Sequence, residues 1–153
     1  MTLKGLSLLK QTIDSVKYPN MPIDYIPLYK YTDKTANGLT RCIIDYLEFN
    51  GCQAERISTT GRMVDNTKTF TNVLGITKQI GSKKWIKGSG TKGSADISAT
   101  INGKSVKIEV KIGKDRQSEH QKKYQESIEK SGGIYLIAKS FEDFIKQCNI
   151  REL

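Results

Sequence analysis

A chain of 153 residues, 37% of them apolar, is long enough for one domain with a buried core. Its 25 Lys and Arg against 16 Asp and Glu give a net charge of +9, which favours an anionic partner, nucleic acid first and an acidic membrane surface second, over a merely soluble basic protein. The lack of an apolar run of ~18 residues excludes a transmembrane helix, and the start MTLKGLSLLKQTIDSV is too polar to read as a signal peptide.

Residues 3 to 17 predict a short helix with Leu6, Leu9, Ile13 and Val16 on one side. Pro19, Pro22 and Pro27 then hold the chain extended. Residues 1–30 therefore read as an N-terminal arm, and residues 31–153 as the functional domain. A stronger helix covers roughly residues 34 to 49, with Leu39, Cys42, Ile43, Tyr46 and Leu47 at helical spacing and Gly51 as its stop. A short strand near CQAERIS follows, then a polar turn, STTGRMVDN, and a stretch of weak signals over residues 66 to 81. Residues 82 to 93, SKKWIKGSGTKG, read as a glycine-rich loop carrying Lys83, Lys84, Lys87 and Lys92. Two strands, 95 to 101 and 104 to 112, are joined by Asn102-Gly103. A helix from about Ser118 to Ser131, the buried strand IYLIA and a last helix capped by Ser140 complete the chain. The expected fold is α/β, a mixed central sheet flanked by helices in the order α-β-β-β-α-β-α.

Asn-Gly between alternating segments marks a two-residue hairpin, since both turn residues take positive φ. The register follows: Ile101 opposes Lys104, Ala99 opposes Val106, Ile97 opposes Ile108 and Ala95 opposes Val110 on an apolar face. The other face pairs Thr100 with Ser105, Ser98 with Lys107 and Asp96 with Glu109, and Lys111 joins it two residues on. This polar face is expected to meet solvent or a metal. Opposed carboxylates destabilise a sheet unless something neutralises them. Lys111 can do so in part, and Mg²⁺ or Mn²⁺, which take oxygen ligands, can do so better.

The string GSADISATINGKSVKIEVKIGKDRQSEHQKKYQ resembles PD-(D/E)XK nucleases, and is most similar to the VRR-NUC and Holliday-junction-resolvase-like branch with its small phage proteins. Glu109-Val110-Lys111 matches the E-x-K element, Asp96 the preceding acid, and Gln121 a glutamine of the next helix. The tail GGIYLIAKSFEDF also resembles the family's closing strand and helix, and the likeness spans roughly residues 34 to 148. It implies a restriction-endonuclease-like core, Mg²⁺-dependent cleavage of DNA, and metal ligation by Asp96, Glu109 and the Val110 carbonyl. Lys111 and Gln121 complete the implied catalytic set. The resolvase likeness further implies branched DNA as substrate and a homodimer. Ala95 stands where the family motif has proline. The first core helix offers Asn37 where many relatives carry an acid.

Other residues leave alternatives open. Gln121 also fits a capping box with Ser118. Arg56, Arg62, Lys114 and Arg116, like the loop lysines, either contact phosphate or are simply solvated. Trp85 either stacks on a base or anchors the loop in the core, the latter slightly favoured. Gly88-x-Gly90-x-x-Gly93 opens a strand instead of a helix, so no nucleotide cofactor is expected. Cys42, Cys52 and Cys148 form no CxxC pair and read as reduced thiols of a cytoplasmic protein. With a single histidine, His120, zinc and histidine-base chemistry are disfavoured. The rival to a nuclease is a catalytically inactive nucleic-acid-binding module.

Overall fold

Hydroxyl side chains start four helices. Thr2 accepts from Gly5 N–H, Thr35 from Gly38, Ser118 from Gln121 and Ser140 from Asp143, each satisfying a donor that the first turn leaves open. The computed structural model describes residues 1–58, 61–88 and 90–148. Among them run α1 (Leu3–Lys17), a 3₁₀ turn at Ile23–Tyr25, α2 (Ala36–Phe49), β1 (Gln53–Arg56), β2 (Arg62–Asp65), β3 (Lys68–Thr71), β4 (Thr77–Ile80) and β5 (Lys83–Ile86). Then follow β6 (Ile97–Ile101), β7 (Lys104–Val110), α3 (Glu119–Lys130), β8 (Ile134–Ala138) and α4 (Phe141–Gln147).

The chain divides into two compact units, Met1–Ile57 with Gly93–Leu153, and Ser58–Lys92. The first unit holds a four-stranded sheet in the order β1-β6-β7-β8. β1 and β7 pair with β6 antiparallel, and β8 pairs with β7 parallel after the crossover through α3. The sheet is therefore mixed. Taken from α2 onward, this unit runs α-β-β-β-α-β-α, as the sequence predicts.

Asn102 and Gly103 adopt φ of 49° and 80°, the positive values a two-residue hairpin turn needs. The turn fixes the register as expected, from Ile101↔Lys104 to Ile97↔Ile108. Ile97, Ala99, Ile101, Val106 and Ile108 are buried against Leu39, Cys42, Ile43 and Leu47 of α2 and Phe141 and Phe144 of α4. Leu6 of α1 is fully buried in the same core, so the leading segment packs onto it, while Val16, expected on the apolar side, is exposed. α3 meets the opposite face: Tyr124 stacks edge-on against Tyr135, which shares a face with Lys107 and Glu109. No helix among the described residues is long and apolar enough to cross a membrane.

Ser58–Lys92 differs from the expectation of turns and a glycine-rich loop. β2 pairs with β5 and β3 with β4, both antiparallel, so Lys83 and Lys84 lie on a strand. Trp85 is exposed and its indole lies over Gly61, not in a core. The strands escaped notice because they alternate lysine and threonine with isolated apolar residues, and their turn lacks the Asn-Gly signature.

Candidate active site

The two carboxylates expected to oppose each other reach the same end of β7 by different routes. The β6–β7 ladder stops at Ile97↔Ile108. Beyond it the Asp96 side chain replaces the backbone: its Oδ2 accepts from Val110 N–H at 2.9 Å, while its main-chain oxygen accepts from Ile57 N–H at 2.8 Å. Asp96 is thus clamped between β1 and β7 and is not a simple cross-strand partner of Glu109. No hydrogen bond among the described residues takes its Oδ1.

Glu109 is 2% exposed and Lys111 7%, so the polar face is covered where solvent was expected. Periodicity places both residues on one face correctly but does not reveal that α3 lies over it. Lys111 Nζ lies 3.2 Å from Glu109 Oε1 and 3.2 Å from Asp115 Oδ2. Gln121 joins them from the first turn of α3: its Nε2 donates to Glu109 Oε1, and its Oε1 accepts from Lys111 Nζ at 3.2 Å. The same Oε1 accepts from Ser118 N–H at 2.9 Å, closing the capping box. Both readings of Gln121 therefore hold at once. The Tyr135 hydroxyl donates to Glu109 Oε2 at 3.3 Å.

Burial, and after it the charge of Asp96, raises the Glu109 carboxyl above its ordinary 4.5, even though Lys111 and Tyr135 pull the other way. Burial works to lower the Lys111 ammonium, but Glu109 and Asp115 outweigh it and hold it raised. Burial first, then Glu109, raises the Tyr135 phenol, which stays a hydrogen-bond donor. A buried ion pair repays its desolvation only with further hydrogen bonds, and Gln121, Tyr135 and Asp115 supply them.

Sequence reasoning missed Tyr135 and Asp115. β8 pairs in parallel through a long crossover, so no short turn sets its register and nothing in IYLIA reveals which residue meets Glu109. Asp115 lies four residues beyond Lys111 in a turn, where no helical or strand period applies.

The segment leading to Asp96 is pressed against α3. Gly93 has φ of 83°, and a Cβ there would lie 2.5 Å from the backbone of His120, so this position needs glycine for space as well as conformation. His120 itself is an exposed helix residue. The Ser94 Oγ, two residues before Asp96, is buried without a hydrogen-bond partner among the described residues.

The donor set suits a hard cation. It is all oxygen: Asp96 Oδ1 takes no hydrogen bond among the described residues, and Val110, whose N–H points to Asp96, directs its carbonyl to the same edge of the strand. Among the described residues no three His, Cys, Asp or Glu side chains form a metal cage. Mg²⁺ keeps several waters and takes one or two carboxylates, so two suffice.

The expected phosphate-binding residues divide between the two compact units. Lys114 and Arg116 are exposed in the turn between β7 and α3. Arg56 donates to Asn37 Oδ1 at 2.8 Å, so the residue that stands where many relatives carry an acid already holds a cation's donor. Arg62, Lys83, Lys84, Lys87 and Lys92 belong to Ser58–Lys92. The three thiols are free, with Cys42 and Cys148 buried. Compared with known proteins, the chain matches no family model, no curated protein and no solved structure.

Proposed function

We propose that this chain is a Mg²⁺-dependent DNA endonuclease with a restriction-endonuclease-like core. The observation that carries the reading is the buried Glu109–Lys111 pair, held by the half-buried Gln121, beside Asp96 at the end of β7. A carboxylate raised first by burial and then by a second carboxylate is a costly arrangement for structure alone, and functional sites are where such shifts concentrate. The strand and helix order supports the core assignment, the resemblance to resolvases supports branched DNA as substrate and a homodimer, and the three free thiols support a reducing cytoplasm.

Asp96, Glu109 and the Val110 carbonyl would hold Mg²⁺ or Mn²⁺. The ion supplies charge stabilisation at the phosphoryl oxygen and lowers the pKa of a bound water. Lys111 keeps its proton at Nζ and orients water or offsets negative charge on the phosphate. Gln121 positions Glu109 and Lys111 by holding both. Arg56, Arg62, Lys83, Lys84, Lys87, Lys92, Lys114 and Arg116 are the basic residues available for sequence-independent phosphate contacts.

One observation favours a second reading, an inactive nucleic-acid-binding module: Lys111, Gln121 and Tyr135 already satisfy Glu109. Incubating labelled duplex, nicked, flapped and four-way DNA with Mg²⁺, Mn²⁺ or EDTA separates the two. Metal-dependent products support the nuclease, and binding without products supports the module.

A further inference from the structure

Ser58–Lys92 carries seven basic side chains and a single acidic one, Asp65. None of its described residues is buried. A lone two-stranded ribbon of this kind is marginal in water, so a partner that covers it adds stability.

The two ladders are one ribbon. The pairing from Arg62↔Ile86 to Thr71↔Thr77 keeps one register across the gap between the two ladders, where Asn66 N–H donates to Ser82 oxygen and Gly81 takes φ of 91°. Paired residues share a face, and side chains alternate along each strand. Arg62, Lys68, Lys78 and Lys84 therefore fall on one face, interleaved with apolar residues including Phe70 and Ile80. None of these four cations has an ion-pair partner among the described residues. On the other face Lys83 is paired with Asp65 at 3.4 Å, and Thr69, Thr71, Thr77 and Gln79 are uncharged. Within the two ladders the unpaired charge is thus sorted onto one side.

We infer that this face docks along duplex DNA, with the ribbon seated in a groove. The inference rests on DNA as partner in the reading above, but not on cleavage. Ten residues per strand reach about 33 Å at ~3.3 Å per residue, close to one helical turn of roughly 34 Å, and the major groove admits a two-stranded ribbon. Four unpaired cations facing one way match a polyanion, and the exposed turn residues Val73 (102%) and Leu74 (79%) offer an apolar end for contact with bases.

The test uses the full chain in EDTA, with anisotropy of a labelled duplex of about two turns and of its single strand across a salt series. Wild type should prefer the duplex. K68Q/K78Q should weaken binding and flatten the log–log salt slope by about 2. T69A/Q79A, on the opposite face, should bind within about twofold of wild type, since it touches no phosphate contact. Equal slopes for K68Q/K78Q and wild type, an equal loss in T69A/Q79A, or preference for the single strand would overturn the inference. So would sedimentation showing that the lysine variants disrupt self-association and leave DNA binding intact. Cleavage with ribbon-independent binding would sink the ribbon alone; ribbon-dependent binding without metal-dependent cleavage would sink the nuclease alone.

Discussion

Gln121 donates to Glu109 and thereby ties the first turn of α3 to the end of β7. Its own oxygen caps that turn and accepts from Lys111. One side chain thus fixes where the helix begins and where the buried ion pair sits.

This double use can be separated by mutation. Ser118→Ala removes the cap but leaves the Glu109 contact, and should cost about 0.5–2 kcal/mol in urea unfolding with cleavage largely kept. Gln121→Ala loses both and should lower cleavage kcat much more than KM. Equal activity losses in the two variants would show that Gln121 acts only through the helix.

Breaking the ion pair should be expensive. Lys111→Met leaves Glu109 buried beside Asp96 and should destabilise by roughly 3–5 kcal/mol near neutral pH, as for other severed buried pairs. This replaces the expectation that the face carrying Lys111 meets solvent or a metal. By comparison, the core truncation Ile108→Ala should cost about 2–5 kcal/mol independently of pH.

The sign of the pH dependence follows from Glu109. Its carboxyl is raised in the fold, so the folded state holds the proton more tightly than the unfolded state. The stabilising contribution of that bound proton is fully present below the ordinary 4.5 and is lost as pH rises through the folded value. The penalty of Lys111→Met should therefore shrink as pH falls from neutral toward 4.5, the range in which the raised Glu109 carboxyl takes up its proton. Urea melts of wild type and variant across that range check it, and a constant difference would contradict the assignment. Metal binding needs the ionised carboxylate, so cleavage should rise with pH through the same window.

Two glycines with similar φ should differ in consequence. Gly103 has open space where a Cβ would go, whereas Gly93 meets the His120 backbone. Gly103→Ala should cost about 1–2 kcal/mol of left-handed strain. Gly93→Ala should cost more and also lower cleavage, because it displaces the turn that carries Gln121. Thermal melts with activity assays distinguish them.

The hairpin was legible because Asn102-Gly103 sets a register by arithmetic, and that register put Glu109 and Lys111 on one face. Asp96 was legible as a neighbour but not as a side chain standing in for the strand, since the ladder ends one residue after it. The burial of Glu109 was hidden because Tyr135 and Gln121 arrive through a crossover whose docking no local period encodes. The ribbon was hidden for a different reason. Lys68, Thr69, Lys78 and Gln79 pair by backbone hydrogen bonds without a buried face, so no alternation of apolar residues announces them.

Hydrolysis of DNA at the Glu109 cluster with a divalent cation can be tested in one assay. Its most direct test is the cleavage of labelled duplex and branched DNA by wild type and by Glu109→Gln, each with Mg²⁺, Mn²⁺ or EDTA. Wild type should give products with metal and none with EDTA, and a Glu109→Gln protein that still shows the wild-type circular dichroism spectrum should lose nearly all cleavage. Equal cleavage by the variant, or none by wild type on any of these DNA structures with either metal, would contradict it.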